Sequence, residues 1–317
     1  MPLAVKKNRR TEKVTPAQLD VEPVAVPQEE QLPVTPKVTA LVHSYNNAAG
    51  LRRCLAALER STDRAALEIL VVDKGSQDES STLDTEFPNT TFLRLPRNFG
   101  NTRALNIGTR TAAGEFIFYL SPEIVVAPET VSALAVRLEL DTELMAVCPL
   151  IVDAGSATVV EQFYRLPRPE TGTELTPVPV DLAAGQVTVE YATFQAIMAR
   201  KYFVRGINYF DEKYGEFGAD AELCFQIRRA GRKIIVMPEL PVLRTVLPVQ
   251  PSSAAQNVFE ADRVNGAAVF FRKHYGFMTG LMFRIKAILK ALFSLRFSLF
   301  TGLIGGQKID GSQGVVL

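Results

Sequence analysis

The chain has 317 residues, 47% of them hydrophobic and 22% charged, with a formal net charge of +1. That composition supplies the core of one large α/β domain or two smaller ones and excludes a disordered chain, while the near-neutral balance argues against a nucleic-acid binder. Cys54, Cys148 and Cys224 are far apart, show no CxxC spacing and fall in apolar segments, which argues against structural zinc or a disulfide framework and for small core residues in a reducing compartment.

The N-terminus is basic at Lys6, Lys7, Arg9 and Arg10, but no apolar run follows, so it does not read as a secretory leader and a cytoplasmic protein is expected. Five prolines between Pro16 and Pro36 interrupt any regular element, and residues 1–36 read as a mobile tail. From Val38 strands and helices alternate. VTALVHSY is a strand, and GLRRCLAALERS sets Leu51, Leu55 and Leu58 on one helical face. EILVVD is a second strand that breaks into a turn at Asp73; TTFLRL is a third. NTRALNIGTRTAAG is a helix predicted to end at Gly114, and EFIFYL is a strand that breaks into SPEIVV at Glu123. Short loops between such elements imply right-handed crossovers and a mostly parallel sheet, which ETVSALAVRLEL and MAVCPLIV extend. Ligands of open α/β sheets bind outside the carboxyl ends of the strands, where Asp73 and Glu123 are delivered.

Between about 152 and 188 the chain turns rich in Pro, Thr and Gly, an excursion suited to an acceptor site. A strand, a short helix, an aromatic loop, a helix from Asp220 to Ala230 closed by Gly231, and the strand KIIVMPE follow. From Arg272 to Lys308 there are seven Lys or Arg and no Asp or Glu, interleaved with apolar runs. The charges at Arg284, Lys286, Lys290 and Arg296 break those runs too often for a spanning helix. A helix lying on an anionic membrane surface fits them, and a core-packing helix pair is the alternative.

Four blocks, VTALVHSYNNAAGLRRCLAAL, EILVVDKGSQDES, RNFGNTRALNIGTRTAAGEFIFYLSPEIVV and FGADAELCFQIRRAGRKIIVMPE, taken in this order and spacing, resemble the GT-A domain of family-2-type inverting glycosyltransferases, in particular the bacterial rhamnosyltransferase-like branch. The resemblance covers about two thirds of the chain and implies a Rossmann-like, mostly parallel sheet flanked by helices in a domain over 37–250; the basic, hydrophobic segment over 251–317, read from its own residues, follows it. It implies that Ser44, Tyr45 and Asp73 line the nucleoside pocket of a nucleoside diphosphate sugar, with Gly75 permitting close approach. Asn98, Arg103 and Asn106 would back the diphosphate, and Glu123 would hold Mg2+ or Mn2+, with Ser121 at the other position of that element. Asp220 would be the general base, Ala219 and Glu222 replacing the acids on either side of it. Arg244 stands where the family commonly places a histidine and would pair with phosphate. The implied activity is inverting transfer to a lipid-linked or polysaccharide acceptor by a peripheral protein on the inner face of the cell membrane, in envelope polysaccharide synthesis. The altered acidic positions leave one alternative, a catalytically silent domain that binds nucleotide or carbohydrate, or a scaffold.

Overall fold

The computed structural model describes residues 36–181, 185–245 and 253–311. The tail expected over 1–36 lies, except for its last residue, outside the described residues. The first strand β1 (Val38–Ser44) is buried throughout, and α1 (Ala48–Leu58) follows with Asn47 as its N-cap, the side-chain oxygen accepting the Gly50 N–H at 3.1 Å. Leu51, Leu55 and Leu58 share its buried face, as their spacing predicts. Next come β2 (Leu67–Asp73), β3 (Thr91–Arg94), α2 (Asn101–Thr111), β4 (Phe116–Leu120), β5 (Ile124–Val125), α3 (Thr130–Leu140) and β6 (Leu144–Asp153). Helix α2 stops at Thr111 rather than at Gly114, because Gly114 lies against the backbone of Thr39, where a Cβ would stand 2.5 Å from its nitrogen.

The excursion after β6 carries only short strands, β7 (Phe163–Tyr164), β8 (Val187–Thr188) and β9 (Tyr191–Ala192). It returns through β10 (Ala196–Arg200) and α4 (Lys201–Gly206) to α5 (Ala219–Arg229) and β11 (Lys233–Arg244). The main sheet runs β3-β2-β1-β4-β10-β6-β11-β5, with β8 also on β11. Its first four strands are parallel, and so are β6 and β11, but β10 is antiparallel to both neighbours. The mostly parallel sheet expected from the sequence is present, with β10 set antiparallel inside it and short antiparallel pairings of β5 and β8 on β11. Parallel neighbours require a crossover connection, and β10 is reached by the irregular excursion instead.

Alternation along the strands splits the core in two. Leu41, Leu70, Val72 and Tyr119 pack on α2 and α5, while Val42, Val71 and Phe118 face α1 and α3. Three helices complete the described chain, α6 (Ser253–His274), α7 (Phe277–Phe293) and α8 (Phe297–Ile304). Phe270 and Phe271 of α6 join the α2 and α5 side of the core, and Ala261, Ala291 and Leu303 tie α6, α7 and α8 into a small cluster. Helix α6, which lies almost wholly before the basic 272–308 segment, packs into the core. Helix α7 leaves Phe277, Met278, Met282 and Leu289 exposed beside Lys286 and Lys290. No helix among the described residues is long and apolar enough to cross a membrane.

Candidate active site

The carboxyl ends of β1 and β2 lie side by side, with Ser44 in register with Asp73. Asp73 is buried, and its Oδ1 accepts from the Ser76 backbone N–H at 3.1 Å and from its hydroxyl at 2.5 Å. The Ser76 hydroxyl oxygen accepts the Asn46 N–H at 2.9 Å, and Asn46 Oδ1 accepts the Gln77 N–H at 2.8 Å. Tyr45 is carried between these lashed turns. Gly75 has φ +81°, and a Cβ there would stand 2.7 Å from Cα of Arg97, so the close approach expected at this glycine is made by the protein's own backbone.

Beyond these turns opens a cavity of about 370 Å3, floored by His43 and Ser121 at strand ends and walled by Asn101, Tyr191, Asp220 and the Arg263 and Phe270 side of α6. Asp220 is the second residue of α5, not its cap, a position that falls to Gly218. Its Oδ1 accepts the Ala221 N–H at 2.8 Å, and the buried Tyr191 hydroxyl donates to the carboxylate. Burial pushes the Asp220 carboxyl above the usual aspartate range, with the Ala221 and Tyr191 hydrogen bonds opposing it. Glu222, two residues on, faces away from the cavity into α6. There Tyr214 and His274 meet Oε2 at 2.9 and 2.7 Å, and Lys273 meets Oε1 at 2.9 Å. Burial alone would raise its pKa, but hydrogen bonds from His274, Gln226 and Lys273 outweigh that and hold it at about 2.

Sequence reasoning missed several residues, His43 and Glu216 lining this cavity and Lys74 and Asp262 behind it. His43 is buried and pushed down to about 3 by that burial and by the Lys74 charge, so its ring is neutral; its Nδ1 has no partner. Lys74, the residue after Asp73, is buried with its Nζ 2.7 Å from Asn101 Oδ1 and 3.0 Å from Glu216 Oε1. The Glu216 Oε2 accepts the Asn101 backbone N–H at 3.0 Å. Behind Glu216, Asp262 of α6 is fully buried and accepts three backbone N–H groups, from Glu216 and Phe217 on Oδ2 at 2.8 and 3.2 Å and from Ile309 on Oδ1 at 2.9 Å. Gly215 makes room for that seat, since a Cβ there would lie 1.9 Å from Asp262 Oδ1. A charged residue directly after a strand-end aspartate was the available signal for Lys74. Nothing local marks Asp262.

The remaining predicted residues are placed as follows. Asn98 is buried and caps its own turn, Oδ1 accepting the Gly100 N–H at 2.9 Å. Asn106 gives both halves of its amide to the Phe210 backbone, at 2.8 and 3.0 Å. Arg103 lies on the outer face of α2, 3.4 Å from Glu212 and over the Phe99 ring. Of the predicted site residues Asp220 lines the cavity, whereas Ser44, Tyr45, Asp73, Gly75, Asn98, Arg103, Asn106, Glu123 and Arg244 are not among its lining residues. Arg244 ends β11 and pairs with Asp153 at 3.0 Å, and that contact together with the turn's N–H groups holds Asp153 at about 2.

Glu123 is buried beside β5. Burial pushes its carboxyl above the usual range, while its own backbone N–H and the charges of Arg244 and Lys74 pull the other way. Among the described residues no three His, Cys, Asp or Glu side chains gather where they could hold a metal ion. A hard divalent cation takes carboxylates and phosphate oxygens that are free to ligate. Glu123 offers one such carboxylate, acted on by the charges of Arg244 and Lys74, and an ion held there would take its other ligands from a bound diphosphate.

A mixed sheet wrapped by helices, with its cavity at the strands' carboxyl ends, defines a GT-A fold, and comparison with solved structures agrees. The chain matches a crystal structure of GalNAc-T7 with UDP, GalNAc and Mn2+ at a TM-score of 0.58 and 16% identity, over 73% of this chain and 47% of that one. Residues 39–201, just over half of the chain, match glycosyl transferase family 2, and the protein belongs to that family. Among its relatives are an N-acetylglucosaminyltransferase of Mesorhizobium japonicum, 24% identical over 67% of this chain and 52% of its own length, and a pre-mycofactocin glycosyltransferase of Mycobacterium tuberculosis, 26% identical over 68% and 44%. The chain spans about half the length of these relatives.

Proposed function

We propose that the protein transfers a sugar from a nucleoside diphosphate donor to an acceptor hydroxyl with inversion, and that Asp220 is the base. The observation that carries this reading is Asp220 itself, a half-buried carboxylate of raised pKa set in the cavity beside Tyr191 and opposite the strand ends. In the reaction the acceptor oxygen forms a bond to the anomeric carbon as the bond from that carbon to the diphosphate breaks. The acceptor proton passes to Asp220 and the nucleoside diphosphate departs. A single base and a direct displacement need no covalent sugar intermediate, which gives inversion. Asp73, Ser44 and Tyr45 hold the nucleoside side of the donor, where the two strand ends converge.

The names of the relatives and the ligands of the fold neighbour make a UDP-linked N-acetylhexosamine the first donor to test. The acceptor side of the cavity is walled by Pro167, Leu175 and Phe270, apolar groups suited to a lipid-linked acceptor. Exposed apolar residues and lysines on α7 suit the same surroundings, the cytoplasmic surface of an anionic membrane. Purified protein given UDP-N-acetylglucosamine and a short polyprenyl-phosphate-linked sugar should release UDP and form an inverted product. Tight nucleotide binding without transfer from any donor would return the silent, ligand-binding reading.

A further inference from the structure

Lys74 is a buried cation directly behind Glu216 and Asn101, both of which line the cavity, and neither the nucleoside turn nor the proposed base requires it. It is 5% exposed. A lysine so deeply placed needs an anionic partner, and it has one in Glu216. That carboxylate does two things at once: one oxygen meets the ammonium and the other meets the backbone N–H of Asn101, at the start of the eleven-residue α2. An ammonium beside a helix-start N–H that an anion already occupies is the donor pair that phosphate oxygens use.

Two further observations point to a ligand here. His43 is more than nine-tenths buried, lines the same cavity, and keeps its Nδ1 without a partner. Glu216 lines the cavity as well and retains some exposure toward it, so it is placed to swing aside. Its backbone meanwhile stays tied down by Asp262. The side chain is therefore free to move on a fixed hinge.

We propose that Lys74 is the group that meets the donor's diphosphate, and that Glu216 keeps its seat in the ligand-free protein until the diphosphate displaces it. The exchange of one anion for another never leaves Lys74 unpaired in a buried place. It places a side-chain positive charge at the diphosphate, independent of any divalent ion. The inference takes the identity of the ligand from the proposed transferase reaction, and its test does not require transfer.

Titration calorimetry with inorganic pyrophosphate, and separately with UDP, both in EDTA, decides it. Glu216→Gln removes the competing anion and should bind pyrophosphate about tenfold tighter than wild type, whereas Lys74→Met should bind at least about tenfold more weakly. A Glu216 that merely braces the loop gives the opposite sign, and weaker or unchanged binding in Glu216→Gln overturns the proposal. Should either variant fail to fold, the wild type still answers. Pyrophosphate in EDTA should raise its melting temperature, and no rise sinks the idea. Absence of sugar transfer, with these binding results intact, would count against the transferase reading alone.

Discussion

Asp220 and Glu222 stand two residues apart on one helix and are driven to opposite ends of the carboxylate range, one upward by burial and one to about 2 by three donors. Such a division suits the role proposed for the first as proton acceptor and leaves the second as a structural anion. Asp220→Asn keeps an oxygen for the Ala221 N–H but cannot accept a proton, so transfer should fall by about 10²–10⁴-fold with the melting temperature nearly unchanged. Retained turnover in that variant would remove Asp220 from the mechanism. Because the base must be ionised, the rate of the wild type should rise with pH through a midpoint above the usual aspartate value, as a pH–rate profile would show. The resemblance of GADAEL to the family's acidic block singled out Asp220 in the sequence, and the structure sets it in the cavity wall. The pairing of Lys74 with Glu216 was not, because it joins residues 142 positions apart. The partners of Arg103 and Asn106 were hidden for a related reason: a helix start can offer either face, and the contact of Asn106 with the Phe210 backbone sets which face of α2 turns inward.

Among the elements, α6 does most to shape the site without forming its chemistry. Asp262 reads in the sequence as an ordinary charged residue in a helix, yet it is fully buried and organises two remote segments. Burial pushes its carboxyl up to about 7, with the Ile309 N–H opposing and the nearby Glu216 charge adding to the rise. An acid whose folded pKa is raised binds its proton more tightly in the folded state, so its contribution to stability grows as pH falls from about 7 toward 4. Asp262→Asn can still accept two of the three N–H groups but turns an amide N–H toward the third, which should cost about 1–3 kcal/mol. The gap in melting temperature between wild type and this variant should widen from about pH 8 to pH 5, because only the wild type gains a proton there. A gap that stays constant or narrows would place the titration elsewhere. Glu222 acts in the reverse sense, its stabilisation being complete above about pH 4.5 and lost as pH falls toward 2.

Across the molecule, the alternation of strands and helices up to β6 was readable because each element announces its own period. The antiparallel insertion of β10 was not, since no local pattern sets the direction in which a long excursion returns. Helix α7 carries the surface prediction. Lys286→Glu with Lys290→Glu should lower sedimentation with vesicles containing phosphatidylserine by at least about tenfold, at roughly 1 kcal/mol for each basic residue near an anionic surface, while leaving pyrophosphate binding unchanged. Equal sedimentation of the variant would remove these lysines from any lipid contact.

The bond from the Ile309 N–H to Asp262 also bears on where this protein can be cut. The family signature closes at residue 201, yet residue 309 helps set the loop that precedes Asp220, and Gly311 packs against the Arg97 side chain, whose backbone lies against Gly75. A shortened recombinant chain that keeps every motif but ends before Ile309 would carry all of its reactive groups and lack the stitch that holds their frame closed. Its inactivity would say nothing about those groups. The smallest piece worth purifying is therefore set by the last stitch and not by the last motif.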